Sequence, residues 1–105
     1  MVDWKRIELL AGPDAEEHIR KHGVSISDVF NVLNGLTYSR KIRNSGETRY
    51  TVLGESNGRI LMIVLIQQSA QSFYLLTAYE PSDGYKNLYR GRCKHEINEK
   101  IFQGR

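Results

Sequence analysis

Hydrophobic and polar positions repeat with two different periods along this chain, and the change falls near Gly35. Before it, Trp4 to Leu10 partly alternates apolar and polar residues and predicts a short first strand. Gly12-Pro13-Asp14 then opens a helix, since proline suits the first helical position and a carboxylate suits the positive helix end. Ala15, Ile19 and His22 share one face of it, and Gly23 supplies a left-handed C-cap. Ser25 and Asp28 have capping-box spacing and start a second helix, with Ile26, Val29, Phe30 and Leu33 as its apolar stripe and Asn34-Gly35 as its end. The short link through His22-Gly23-Val24 predicts an angled helix pair.

Beyond Gly35 the period is that of strands. Tyr38 to Arg43, Glu47 to Gly54, Arg59 to Gln67 and Ser72 to Tyr79 predict four of them, with turns short enough for antiparallel hairpins. Arg49, Thr51 and Leu53 point one way along their strand, Tyr50 and Val52 the other. Ile60 to Ile66 is apolar at every position, as a central strand covered on both faces must be. Pro81-Ser82-Asp83-Gly84 breaks the pattern, and a terminal helix over about 84–103 carries Tyr85, Leu88, Tyr89, Cys93, Ile97 and Ile101 on one stripe. The expectation is a single α+β domain over residues 1–105, with a core of about 4–90. Its order is β-α-α-β-β-β-β-α: a twisted antiparallel sheet, two N-terminal helices packed on it and a C-terminal helix.

Composition narrows the function classes. At 105 residues the chain is too short for a doubly wound nucleotide-binding domain or a (β/α) barrel. The longest apolar run is far below the ~20 residues of a membrane helix, and no signal-peptide core follows Met1. A lone Cys93 makes no internal disulfide and no CxxC pair exists, so a reducing compartment, the cytoplasm, is expected. Residues 1–35 carry four basic and six acidic groups, whereas 36–105 carry eleven and six. A basic second part suits RNA, DNA or an acidic protein partner.

Chemistry-bearing motifs are few. There is no phosphate loop and no HExxH. His18 and His22 stand at i,i+4, but no third ligand is marked, so neither a metal nor another cofactor is expected. A basic and aromatic-hydroxyl constellation remains. Lys21 and His22 end the first helix; Arg40, Lys41, Arg43 and Arg49 lie on the first hairpin; Tyr79 and Glu80 end the last strand; Tyr85, Lys86, Tyr89 and Arg90 open the terminal helix. RNA cleavage needs a base for the 2′-hydroxyl proton, an acid for the leaving oxygen and cations for the phosphorane, and these residue types supply all three. Each also has a structural role open to it. Lys21-His22 complements a helix C-terminus, Arg49 has Glu47 or Glu80 within reach as a partner, and Tyr79 packs as a strand end.

At Lys21-His22-Gly23-Val24-Ser25-Ile26 the chain resembles the BrnT-like toxins, whose helix pair turns at a similar Lys-His-Gly-Val-Ser-Phe segment. Gly46-Glu47-Thr48-Arg49-Tyr50 and Gly58-Arg59 followed by an apolar strand look like that family's central hairpin. Over roughly residues 13–90 the resemblance implies the RelE-like ribonuclease fold and the toxin half of a toxin–antitoxin pair. It departs at the end of the last strand. The toxins usually carry Ser-Ala-Arg-Arg there, and this chain has Thr77-Ala78-Tyr79-Glu80-Pro81, an ending similar to a related family of small bacterial domains without assigned function. Tyr79 can donate a proton but does not replace a fixed cation.

The expected function is metal-independent endoribonuclease cleavage of RNA, with Lys21, His22, Arg49 and Tyr79 catalytic. Arg40, Lys41, Arg43, Glu80, Lys86 and Arg90 would contact RNA or a cognate antitoxin protein. The alternative is a non-catalytic protein- or nucleic-acid-binding module on the same fold.

Overall fold

The computed structural model describes residues 2–94. It is an α+β fold whose regular elements run β1 (Glu8–Leu10), α1 (Pro13–Lys21), α2 (Ile26–Asn34), β2 (Tyr38–Asn44), β3 (Glu47–Ser56), β4 (Arg59–Gln67), β5 (Ser72–Tyr79) and α3 (Asp83–Tyr89). Five strands form one sheet in the order β1-β5-β4-β3-β2. The pairs β2–β3, β3–β4 and β4–β5 are antiparallel, as hairpins require, while β1 adds to β5 in parallel. That parallel edge follows from connection length: almost the whole domain separates β1 from β5, so no tight turn constrains their direction.

The first strand is shorter than its pattern predicts. Trp4–Arg6 forms a 3-10 turn capped by Asp3, whose carboxylate accepts from the Lys5 N–H. The turn drops Trp4 into the core against Phe73 and Tyr50, at ring-centroid distances of 5.1 and 5.2 Å. Burying the indole outweighs three more residues of strand pairing.

The first two of the three hairpin turns are two-residue loops, Ser45-Gly46 and Asn57-Gly58, with positive φ at both positions. That is the turn whose twist matches paired strands, so β2 and β3 extend through Asn44 and Ser56, past their predicted ends.

β4 lies in the middle of the sheet with an apolar environment on either side. Leu61, Ile63 and Leu65 join the cluster beneath α1 and α2, with Ile19, Val29, Val32 and Leu33. Ile60 and Met62 face the other way, with Leu53 and Tyr89 of α3. Each fully buried side chain of this size contributes about 1.5–3 kcal/mol, which accounts for the apolar run from Ile60 to Ile63 and Leu65, while Val64 and Ile66 are half-buried.

A register shift between Val64 and Leu65 pairs them with Thr77 and Leu75 and leaves Leu76 without a rung. This bulge sets Tyr79 level with Met62, on the α3 side. α3 and the π-helical turn Arg90–Lys94 cover only one end of that side. Tyr85 stands outside the stripe, exposed, and Tyr89 anchors the helix instead. The expected continuation to about residue 103, with Ile97 and Ile101, lies outside the described residues.

Candidate functional site

α1 ends in a motif that its sequence dictates. The Gly23 N–H donates to the Arg20 carbonyl at 2.9 Å and the Val24 N–H to the Ile19 carbonyl at 3.1 Å, with Gly23 at φ +74°. Ile19 and Val24 bury together, and the closure leaves His22 on the surface as the helix C-cap. His22 is therefore not part of the apolar face of α1. It meets His18 edge-on at 5.1 Å and lies 6.2 Å, ring to ring, from Tyr79.

α2 begins with the anticipated capping box. The Ser25 hydroxyl accepts from the Asp28 N–H at 3.1 Å, and Asp28 accepts from the Ser25 N–H at 2.9 Å. Asp28 does more than cap. The Ser56 hydroxyl, at the end of β3, donates to it at 2.7 Å, and Ser56 in turn accepts from the Asn31 amide at 3.0 Å. Ser56 is a buried polar residue, held between α2 and β3 by those two partners. The Ser25 N–H foremost, then the Ser56 hydroxyl, hold the Asp28 carboxyl below its ordinary range; the Arg59 charge adds to this and burial opposes it.

Arg59 opens β4 beside this network. One guanidinium nitrogen donates to the Gly23 carbonyl at 2.9 Å and lies 3.5 Å from Asp28, and the other lies 4.0 Å from Glu80. Glu80 also accepts from Lys86, which is the main reason its carboxyl sits below the ordinary range. The Tyr79 hydroxyl donates to Met62 Sδ at 3.2 Å. One end of the sheet thus gathers an imidazole, a phenol, a fork-shaped cation held by three oxygens, and a Glu–Lys pair. An imidazole and a phenol are side chains able to exchange a proton, and a guanidinium fork is able to bind an anion.

His22, Lys21, Tyr79, Glu80 and Lys86 are at or next to this end. Arg49 is not. It pairs with Ile42 and Ile66, several rungs from the Leu53–Met62–Tyr79 level, and its side chain is bound to Glu47. Of its two candidate partners the neighbour two residues away wins over Glu80. Arg90 donates to Asn87 at 3.3 Å on α3. Arg40, Lys41 and Arg43 lie on the edge strand β2, exposed. The residue that sequence reasoning missed is Arg59. Its signal was present, as the cation directly after an Asn-Gly hairpin turn, but only the fold brings it to Gly23 and Asp28.

The concavities lined by Ser45, Glu47, Ile66 and Ser69, and by Val2, Lys41, Tyr50 and Gln71, lie at the opposite end of the sheet. No group of three or more histidine, cysteine or acidic residues is placed to hold a metal among the described residues. No helix among them is long and apolar enough to cross a membrane. Comparison with known proteins finds no matching family model, curated protein or solved structure.

Proposed function

We propose that this chain is the toxin component of a toxin–antitoxin pair, a cytoplasmic endoribonuclease that cleaves RNA without a metal. The observation that carries this reading is the juxtaposition of His22 and Tyr79 beside the anchored Arg59. The BrnT-like resemblance of the segment from Lys21 to Ile26 supports it, since that segment builds the His22 end of the site. In the proposed reaction His22 accepts the 2′-hydroxyl proton and the freed oxygen attacks the adjacent phosphorus. The bond to the 5′ oxygen breaks, Tyr79 gives that oxygen its proton, and the products are a 2′,3′-cyclic phosphate and a 5′-hydroxyl. Arg59 and Lys21 neutralise the phosphorane, Arg59 taking the role first expected of Arg49.

The test is cleavage of single-stranded RNA with chelator present, comparing wild type with His22→Ala and Tyr79→Phe. Loss of ~10²–10⁴-fold in rate is expected for each variant, with cyclic phosphate ends in the wild-type product. Equal rates in all three proteins would remove the site. A second reading, a non-catalytic binding module, is favoured by one observation: Arg59 is already engaged by Gly23, Asp28 and Glu80, and the Tyr79 proton by Met62. A folded protein that binds RNA or a protein partner but cleaves no RNA selects that reading.

A further inference from the structure

The partner-binding half of the preceding proposal is given a location by β2, and the inference rests on that half alone, not on RNA cleavage. β2 is an edge strand of seven residues, and among the described residues nothing pairs with its outer side. A long exposed edge offers unpaired N–H and C=O groups to any extended segment. Its side chains narrow the choice. The register places Arg40 level with Thr51 and Ile42 level with Arg49, on the α3 side, whereas Lys41 and Arg43 point to the side of α1 and α2. Among the described residues Arg40, Lys41 and Arg43 have no ion-pair partner, and Ile42 is 47% exposed between them.

From this arrangement we infer that β2 is the docking edge for an acidic, extended segment of a partner protein, which adds antiparallel as a sixth strand. A strand lying in the plane of the sheet projects its own side chains alternately to both faces, so it alone meets all three cations together. Carboxylates opposite Arg40, Lys41 and Arg43, with an apolar residue opposite Ile42, give the pattern Glu-Val-Glu-Glu when read antiparallel. The apolar residue would extend the cross-sheet rung Leu10, Tyr74, Ile66, Arg49 and Ile42, which is apolar at every position but Arg49. A second copy of this chain is a poor occupant, because antiparallel pairing of two β2 strands sets basic residues against one another. RNA is disfavoured by the same alternation: a backbone lying on one face reaches Arg40 or the Lys41–Arg43 pair, not both.

The probe is a synthetic peptide with a Glu-Val-Glu-Glu centre flanked by Thr and Val, beside the same peptide N-methylated at alternate backbone amides. Amide hydrogen exchange of the full chain should show fast exchange at the outward amides of β2 when free, and protection of 38–44 with the unmodified peptide. The N-methylated peptide should fail to protect. The double variant Arg40→Glu, Lys41→Glu should weaken binding by roughly tenfold or more, and salt should weaken it in the wild type. Four results would overturn the inference: outward β2 amides already protected in the free chain, equal binding of the N-methylated peptide, no change in the double variant, or protection of β2 by single-stranded RNA but not by peptide. The ribonuclease reading is decided separately, since the charge-reversed residues are distant from His22 and Tyr79.

Discussion

Asp28 shows how much a single side chain coordinates. It caps α2 through Ser25, fixes the end of β3 through Ser56, and faces Arg59, while only 14% of its side chain remains exposed. Its folded pKa lies below the ordinary 3.8, so the stabilisation it gives is fully present above the unfolded pKa and is lost as pH falls through the folded one. Asp28→Asn should therefore cost ~1–2 kcal/mol at neutral pH. The gap from wild type should close as pH falls from about 5 to about 2, which thermal melts across that range would measure. Tyr89 works in the opposite direction. Burial foremost, then Cys93 and Glu55, push its phenol up to about 12, and its hydroxyl donates to the Leu36 carbonyl at 3.0 Å. Its neutral form is the one the fold favours, so its contribution holds below pH ~10 and fades towards ~12. Denaturant midpoints at alkaline pH should decline less in Tyr89→Phe, which lacks the titrating group and loses ~1 kcal/mol at neutral pH.

Elements meet where residue size permits it, and the tightest meeting is α2 on β3 at Gly54. A Cβ there would stand 2.6 Å from Val32 Cγ1 and 3.3 Å from the Val32 carbonyl, so α2 packs against bare backbone. Gly54→Ala should cost ~1–3 kcal/mol, and Val32→Ala in the same chain should recover part of it; a double-mutant cycle of unfolding free energies reads the coupling. This contact also explains what the α2 pattern misjudged. Val32 turns to the sheet and Phe30 is 46% exposed, although hydrophobicity alone ranks Phe30 as the core residue. A large ring does not fit the close approach that Gly54 sets. By contrast the bounds of β4 and β5, the positions though not the lengths of the first two hairpin turns, the capping box and the Gly23 helix end were legible, because each depends on neighbours within a few residues. The Trp4 turn, the parallel edge and the Leu76 bulge depend on contacts distant in sequence, and no local period carries them.

At the scale of the molecule the same distinction decides the site. Lys21, His22 and Tyr79 could be chosen from motifs, since helix and strand ends are local features. Which arginine lies beside them depends on sheet register, and the hairpin motif pointed to Arg49, at the other end of β3. Arg49 is bound to Glu47, whereas Arg59 reaches Gly23, next in sequence to His22. The two arginines should therefore separate in experiment. Arg49→Ala should leave RNA cleavage within a few-fold of wild type, as an exposed pair with Glu47 adds only ~0–1 kcal/mol to stability. Arg59→Ala should lower both thermal stability and cleavage, because it removes a link between the two helices and the sheet along with the cation proposed to bind phosphate. Arg59→Lys separates those effects. Lysine keeps a positive charge but not the planar fork that spans Gly23 and Asp28. If Arg59 binds phosphate, the lysine variant should retain more activity than the alanine variant at equal melting temperature, with the residual defect in kcat and not in KM. Matched activities in the lysine and alanine variants, once both are compared below their melting points, would make Arg59 a scaffold residue alone.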